Sequence, residues 1–210
     1  DNAYVGYMYG TPGSDTYEET HANINDSAIK TVLDGWYQNN LMDVSDKIDE
    51  NAGFCGDRAA FINDSGTNGG GMELIETYYG AYNRLYTIEK PEFKCANRND
   101  LYTTSGSSQG NGALTYPIGL ITADEVTYAG STVDSSNQNY YLYTNQIYWS
   151  MTPGYVHNIY GAGVFYAHSD GSLNDWQVTY EYGVRPVINL KANVTISSGN
   201  GTASNPYVIA

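Results

Sequence analysis

The 210-residue chain predicts an α+β fold of short helices and antiparallel sheet, on three observations. One amphipathic helix signal of useful length spans about residues 27–41. A second, shorter helix is announced by a capping threonine, Thr122. From Tyr140 onward, brief alternating runs separated by turn residues read as an antiparallel meander.

The elements follow in order. Residues 4–9, Tyr-Val-Gly-Tyr-Met-Tyr, alternate like a strand, and Thr11-Pro12-Gly13-Ser14 ends it with turn chemistry. Asn25, Asp26 and Ser27 offer N-cap oxygens, behind which Ile29, Val32, Leu33, Trp36 and Tyr37 recur at helical spacing. A weaker helical segment covers residues 44–48. Segments 63–71 and 103–112, rich in Gly, Ser and Asn, read as loop insertions. Residues 117–122 lead into the second helix, where Asp124 and Glu125 complement the helix dipole in the first turn. Runs at 140–143, 147–151, 163–167, 177–180 and 184–190 supply the meander strands, with Ser169-Asp170-Gly171-Ser172 as a turn, and residues 191–210 close as a hairpin. No long-period repeat divides the chain, so residues 1–210 are read as one domain.

Composition excludes some partners. Nine basic against 23 acidic residues give a net charge of −14, and no Lys or Arg lies between Arg98 and Arg185. Nucleic acid would meet a repulsive field, and an anionic bilayer is disfavoured for the same reason. No apolar run approaches the length needed to cross a membrane. Leu, Ile, Val and Phe make up under a fifth of the chain, a level that with high net charge leans towards disorder. The 22 Tyr and three Trp restore the missing bulk, because Tyr buries its ring while its hydroxyl stays wet or bonded. Asn, Ser, Thr and Gly do much of the solvating, a balance common on extracellular β-rich proteins.

The two cysteines, Cys55 and Cys95, form no C-x-x-C and lie near no histidine, so a zinc site lacks its spacing. They are either a disulfide or two separate buried thiols. The export-like composition favours the disulfide, which would close a loop of about 40 residues and contribute roughly 4 kcal/mol. The chain opens on Asp1-Asn2-Ala3-Tyr4, which is read in one of two ways: the protein is soluble as it stands, or a targeting segment has been removed, and the export-like composition favours removal. An extracellular or cell-surface location is therefore expected, with membrane attachment only through an N-terminal anchor removed upstream.

Candidate chemistry is sparse. His21, His157 and His168 match no metal-ligand spacing. Asp134, Asp170, Asn174 and Asp175 could give oxygens to a structural Ca²⁺, without an EF-hand run; no other cofactor is implied. The adjacent pairs Glu18-Glu19, Asp49-Glu50 and Asp124-Glu125 read as helix-end and surface charge, since glycoside hydrolysis needs facing carboxylates. No G-x-S-x-G, P-loop or G-x-G-x-x-G occurs, so an enzyme is not expected.

The distinctive stretch runs from Tyr140 to Tyr182. It holds nine Tyr, Trp149, Trp176 and Phe165 interleaved with His, Asn, Ser and Gln. That mixture has the chemistry of an antibody paratope: rigid amphipathic rings beside small adaptable polar groups. Alternation in strands requires part of it to face inward, and Tyr148, Trp149 and Met151 are assigned to structure. The outward ligand-binding candidates are Tyr155, His157, Asn158, Tyr160, Tyr166, His168, Asp170, Asn174, Trp176, Thr179, Tyr180 and Tyr182. Arg185, in a stretch otherwise devoid of bases, is expected to pair with a carboxylate or with backbone carbonyls.

Three segments resemble the C-type lectin-like fold as used in formylglycine-generating-enzyme-like domains. They are residues 119–129, Gly-Leu-Ile-Thr-Ala-Asp-Glu-Val-Thr-Tyr-Ala; residues 148–153, Tyr-Trp-Ser-Met-Thr-Pro; and residues 183–187, Gly-Val-Arg-Pro-Val. The catalytic branch of that family needs cysteines in its C-terminal part, and both cysteines here precede residue 96, so its chemistry is not implied. Residues 1–10, 54–58, 114–120 and 183–190 also resemble prepilin-like surface proteins of gut Firmicutes. The resemblance implies a pilus-like or adhesin head. It also suggests a variable protein of a diversity-generating retroelement, in which such residues are scattered over a binding face. The expected partner is a protein or glycan on another cell, a phage or a host; a pilin-like structural subunit is the alternative, and a glycan-active enzyme a more distant one.

Overall fold

The computed structural model describes residues 2–3, 7–14, 16–22, 25–61, 76–95, 97–106, 111–202 and 204–210. In chain order the elements are β1 (Asn2–Ala3), α1 (Tyr17–His21), α2 (Ala28–Asn40), β2 (Phe54–Cys55), β3 (Glu76–Tyr78), α3 (Gly80–Tyr82), β4 (Leu101–Tyr102), β5 (Gly119–Leu120), α4 (Ala123–Tyr128), β6 (Tyr148–His157), β7 (Gly161–Ala167), β8 (Leu173–Gln177), β9 (Tyr182–Gly183), β10 (Pro186–Val187), β11 (Ile196–Ser198) and β12 (Val208–Ile209). α3 runs on as a π-helical segment, Asn83–Ile88, and a 3-10 helix, Met42–Lys47, follows α2. The protein is therefore mixed α+β, with few short helices and mostly antiparallel sheet. Among the described residues no helix is long and apolar enough to cross a membrane.

α2 begins where its cap predicts: the Ser27 side chain accepts from the Lys30 backbone N–H, and Ile29, Leu33 and Tyr37 are buried along one stripe. α4 carries a full capping box. The Thr122 hydroxyl accepts from Glu125 N–H, while the Glu125 carboxylate accepts from Thr122 N–H. The segment expected to be helical at 44–48 is helical over Met42–Lys47, as a 3-10 helix, and ends before Ile48. α1 and α3 with its π-helical continuation lack a long apolar stripe, and the sequence reading missed them.

The main sheet has the order β1-β9-β6-β7-β8, with β3 also paired to β6. Its neighbours are antiparallel except for a single parallel pair between Tyr148 and Gly183. Alternation sends the two sides of this sheet into different cores. Trp149, Met151, Ala162, Val164 and Tyr166 join Ile29, Leu33 and Tyr37 of α2 on one side, hereafter the front. Tyr148, Phe165, Ala167 and Leu173 join Ala123 and Val126 of α4 and Leu85 on the other, the back. Between Trp149 and Pro153 the register of β6 against β7 shifts. There buried hydroxyls replace ladder partners: Ser150 Oγ donates to Phe165 O at 2.7 Å, and Thr152 Oγ1 accepts from Ala123 N at 2.9 Å, fixing α4 to the sheet.

Several expectations are corrected. Of the first predicted strand, residues 4–6 lie outside the described residues. Tyr7, Met8 and Tyr9 are buried, but only Tyr9 makes an isolated bridge, to Asp26; the strand formed is β1, against β9. Residues 140–143 form turns, because Tyr140 packs into the back core and Tyr143 N–H bonds Tyr140 O. The run at 177–180 is the end of β8 and a turn after it, and the run at 184–190 breaks at Pro186, whose short strand pairs with β5. The C-terminal hairpin forms as expected, from β11 and β12. Insertion 63–71 and residues 107–110 of the second insertion lie outside the described residues. Cys55 and Cys95 form a disulfide with an S–S distance of 2.11 Å.

Candidate functional site

The twelve predicted site residues divide into three places. Eight of them, from Tyr166 to Tyr182, gather on or beside the front of β7, β8 and β9. In the β7–β8 register Tyr166 faces Asn174 and Val164 faces Trp176, which puts Asn174 and Trp176 on the same side as the front core.

The rings there form a continuous ladder. Trp149, fully buried, is its pedestal, with Tyr182 tilted over it at 4.4 Å and Tyr166 edge-on at 5.9 Å. Tyr182 meets Tyr166 at 5.0 Å and Tyr180 at 6.2 Å, and Tyr180 meets Trp176 edge-on at 5.9 Å. Burial deepens along the ladder. Trp176 is 44% and Tyr180 47% exposed, Tyr182 is half-buried, and Tyr166 is 9% exposed. Tyr166 thus corrects its expected exposure: it stands between Tyr182 and the Trp149 pedestal, where ring packing outweighs contact with water. Burial pushes the Tyr166 hydroxyl up to about 12 and Tyr182 upward too, so both keep their protons at physiological pH.

A polar chain borders the ladder at the β7–β8 turn. Asp170 Oδ1 accepts from Ser172 N at 2.9 Å and Ser172 Oγ at 2.7 Å, and Oδ2 accepts from Ser136 Oγ at 2.9 Å. Asn174 Nδ2 donates to Ser172 Oγ at 2.8 Å, and His168 Nδ1 lies 3.0 Å from Asp170 Oδ1. The Ser172 hydrogen bonds hold the Asp170 carboxyl well below its ordinary value, so it stays charged. Gly171 makes the turn possible: its φ is +87°, and a Cβ there would fall 1.7 Å from Asn137 O. Ser172 and Ser136, the residues that hold the chain together, were not among the predicted candidates; the Asp-Gly-Ser turn was the available signal for Ser172.

The remaining candidates lie elsewhere. His157, Asn158 and Tyr160 occupy the β6–β7 hairpin end. His157 Nδ1 accepts from Ile159 N at 2.9 Å and its ring lies 4.6 Å from Tyr160, so it organises the turn. Tyr155 belongs to the back. Its ring covers Gly163, where a Cβ would come within 2.3 Å of it. Asp175 also faces the back, opposite Phe165 and adjacent to Gly154. Thr179, counted above with the front group, is exposed in the turn that leads from β8 to β9.

The back carries a second aromatic group that the sequence reading missed, although the four-residue spacing of Tyr78, Tyr82 and Tyr86 was a signal. Tyr78 and Tyr82 lie 4.1 Å apart and Tyr82 and Tyr86 4.5 Å, with Tyr86 reaching Phe165 at 5.8 Å. Tyr86 Oη donates to Asp175 Oδ1 at 2.6 Å, and Tyr78 Oη donates to Glu76. Burial pushes Asp175 up to about 6; the Tyr86 hydrogen bond offsets this in part, and repulsion from Asp134 adds to it. Below this group Arg84 clamps two elements. It donates through Nε and Nη2 to Asp124 at 2.7 Å each and through Nη2 to Asp57 at 2.6 Å.

Of the possible calcium ligands, Asp170 and Asn174 both bond Ser172, while Asp175 faces the opposite side of the sheet. Among the described residues no group of three His, Cys, Asp or Glu converges as metal ligands. Arg185 donates to Leu142 O at 2.7 Å with its guanidinium over the Tyr148 ring, the backbone-carbonyl pairing expected of it. No protein-family model, no curated protein and no solved structure matches this chain.

Proposed function

We propose that the chain is an extracellular ligand-binding module, adhesin-like, of the C-type lectin-like type, that presents the front of β7, β8 and β9 to a protein or glycan. The observation that carries this is the unbroken ring ladder from buried Trp149 to exposed Trp176 and Tyr180. A rigid pedestal holds partly exposed rings in fixed positions, so little side-chain entropy is lost when a partner covers them. The disulfide and the mostly antiparallel α+β architecture support an exported domain of this kind. The double variant Trp176→Ala/Tyr180→Ala, run on a glycan array and in a host-protein pull-down, tests the reading. Ligands held by the wild-type should be lost by a variant whose thermal unfolding is unchanged. Retained binding would place the site elsewhere.

A second reading, a pilin-like filament subunit, is favoured by one observation. The C-terminal hairpin exposes Ile196, Tyr207 and Val208 by half or more. Concentration-dependent self-association abolished by Ile196→Ser but indifferent to Trp176→Ala would select it.

A further inference from the structure

We infer that the occupant of the front face is a basic protein surface whose arginine and lysine side chains lie against Trp176, Tyr180 and Tyr182. The inference rests on the binding-module reading above and names its ligand class.

Charge is the first argument. Carboxylates accompany the ladder: Asp170 at the β7–β8 turn, and the exposed Glu181 between Tyr180 and Tyr182 in sequence. No Lys or Arg occurs between Arg98 and Arg185, and Arg185 is turned to the back, over Tyr148. With a net charge of −14 the molecule attracts cationic partners and repels anionic ones.

The rings supply the second. The chain already seats its own cations on tyrosine: Lys30 over Tyr9 at 5.5 Å, Arg58 over Tyr102 at 5.6 Å and Arg185 over Tyr148 at 5.1 Å. Among the described residues no cation stands over Trp176, Tyr180 or Tyr182. An arginine or lysine stem would lie along these rings with its head towards the Asp170 end of the face.

The third argument separates a basic protein from a neutral sugar. A glycan is held by polar groups free to bond its hydroxyls, with a flat ring beneath the sugar. Here the Asp170 oxygens take three hydrogen bonds from Ser172 and Ser136, and Asn174 donates to Ser172. What this chain projects is negative charge more than open hydrogen-bonding positions. The rings are stepped, 73° between Trp176 and Tyr180 and 43° between Tyr180 and Tyr182, so they form no flat platform.

Fluorescence anisotropy with an oligo-arginine peptide tests this on the full chain, beside a neutral oligosaccharide of similar mass. Trp176→Ala/Tyr180→Ala should weaken peptide binding about tenfold at unchanged net charge. Asp170→Asn should weaken it about threefold, and added salt should weaken it further. Phe93→Ala/Tyr128→Ala removes another exposed stacked pair, with rings 4.1 Å apart, and should leave binding unchanged. Equal peptide affinity in wild-type and ring variant would mean non-specific attraction to an acidic protein and overturn the inference. Ring-dependent binding of the oligosaccharide but not the peptide would overturn it while the binding-module reading stands. Absence of ring-dependent binding to either probe, with none on the glycan array or in the pull-down, overturns both.

Discussion

The front and back of one sheet use the same residue type to opposite ends. On the front, tyrosines climb from a buried tryptophan to the surface, and the neighbouring polar groups satisfy one another. On the back, tyrosines carried by β3, α3 and its π-helical continuation stack on one another, with Asp175 bonded to Tyr86. What differs is the covering element. A helical layer lies over the back, and its closure requires desolvated carboxylates and a shared arginine. The upper part of the ladder has no such cover, so its rings keep open faces. Tyrosine content therefore marks neither core nor paratope; cover decides.

The contrast can be broken first at Arg84. Arg84→Ala strands Asp124 and Asp57 without their shared cation, and an expected loss of about 3–5 kcal/mol would appear in urea unfolding. A loss under 1 kcal/mol would mean the clamp is not what holds the back closed. Next comes the disulfide, whose Cys95 ends the segment in which Glu92 N–H bonds Asp124. Cys55→Ser/Cys95→Ser should cost about 2–4 kcal/mol, seen as a lower Tm.

Asp175 sharpens the comparison by pH. Its folded pKa, about 6, lies above the ordinary 3.8, so the folded state binds the proton more tightly than the unfolded chain. The stabilising contribution of that proton is complete below about 3.8 and is lost as pH rises through 6. Asp175→Asn keeps an acceptor for Tyr86 without the charge. It should raise stability by about 1–2 kcal/mol at neutral pH, with the gain fading towards pH 4. A gain independent of pH would remove charge burial as the cause. The smallest effect belongs to the front: Trp176→Ala should change stability by about 1 kcal/mol or less, because the ring is 44% exposed and lacks a buried polar dependant. A larger loss in calorimetry would show that the ladder's upper end is core.

Local signals were legible wherever a short stretch carried its own physics. The Ser27 cap of α2, the Thr122–Glu125 box of α4 and the turn in which Gly171 N–H bonds His168 O arise from contacts within a few residues, and the terminal hairpin pairs segments close in sequence. The site was legible as composition but not as arrangement. Periodicity placed Asn174 and Trp176 as candidates, yet the sequence alone did not separate them from Tyr155, because β6 shifts register near Pro153 and the two rings come to opposite sides. It did not show that Tyr166 would be covered by Tyr182, since that contact joins β7 to a strand sixteen residues later. Nor did it show the Arg84 clamp, whose partners lie 27 and 40 residues away.

By itself the sequence determined the acidic charge, the aromatic supply, the caps and the turns, because these depend on residue type and near neighbours. Tertiary structure alone decided which tyrosines face water, which aspartate accepts a buried tyrosine hydroxyl and which two share a cation, and which rings meet. Those outcomes depend on strand register and on the element laid over each face, and both are set by contacts between residues far apart in the chain.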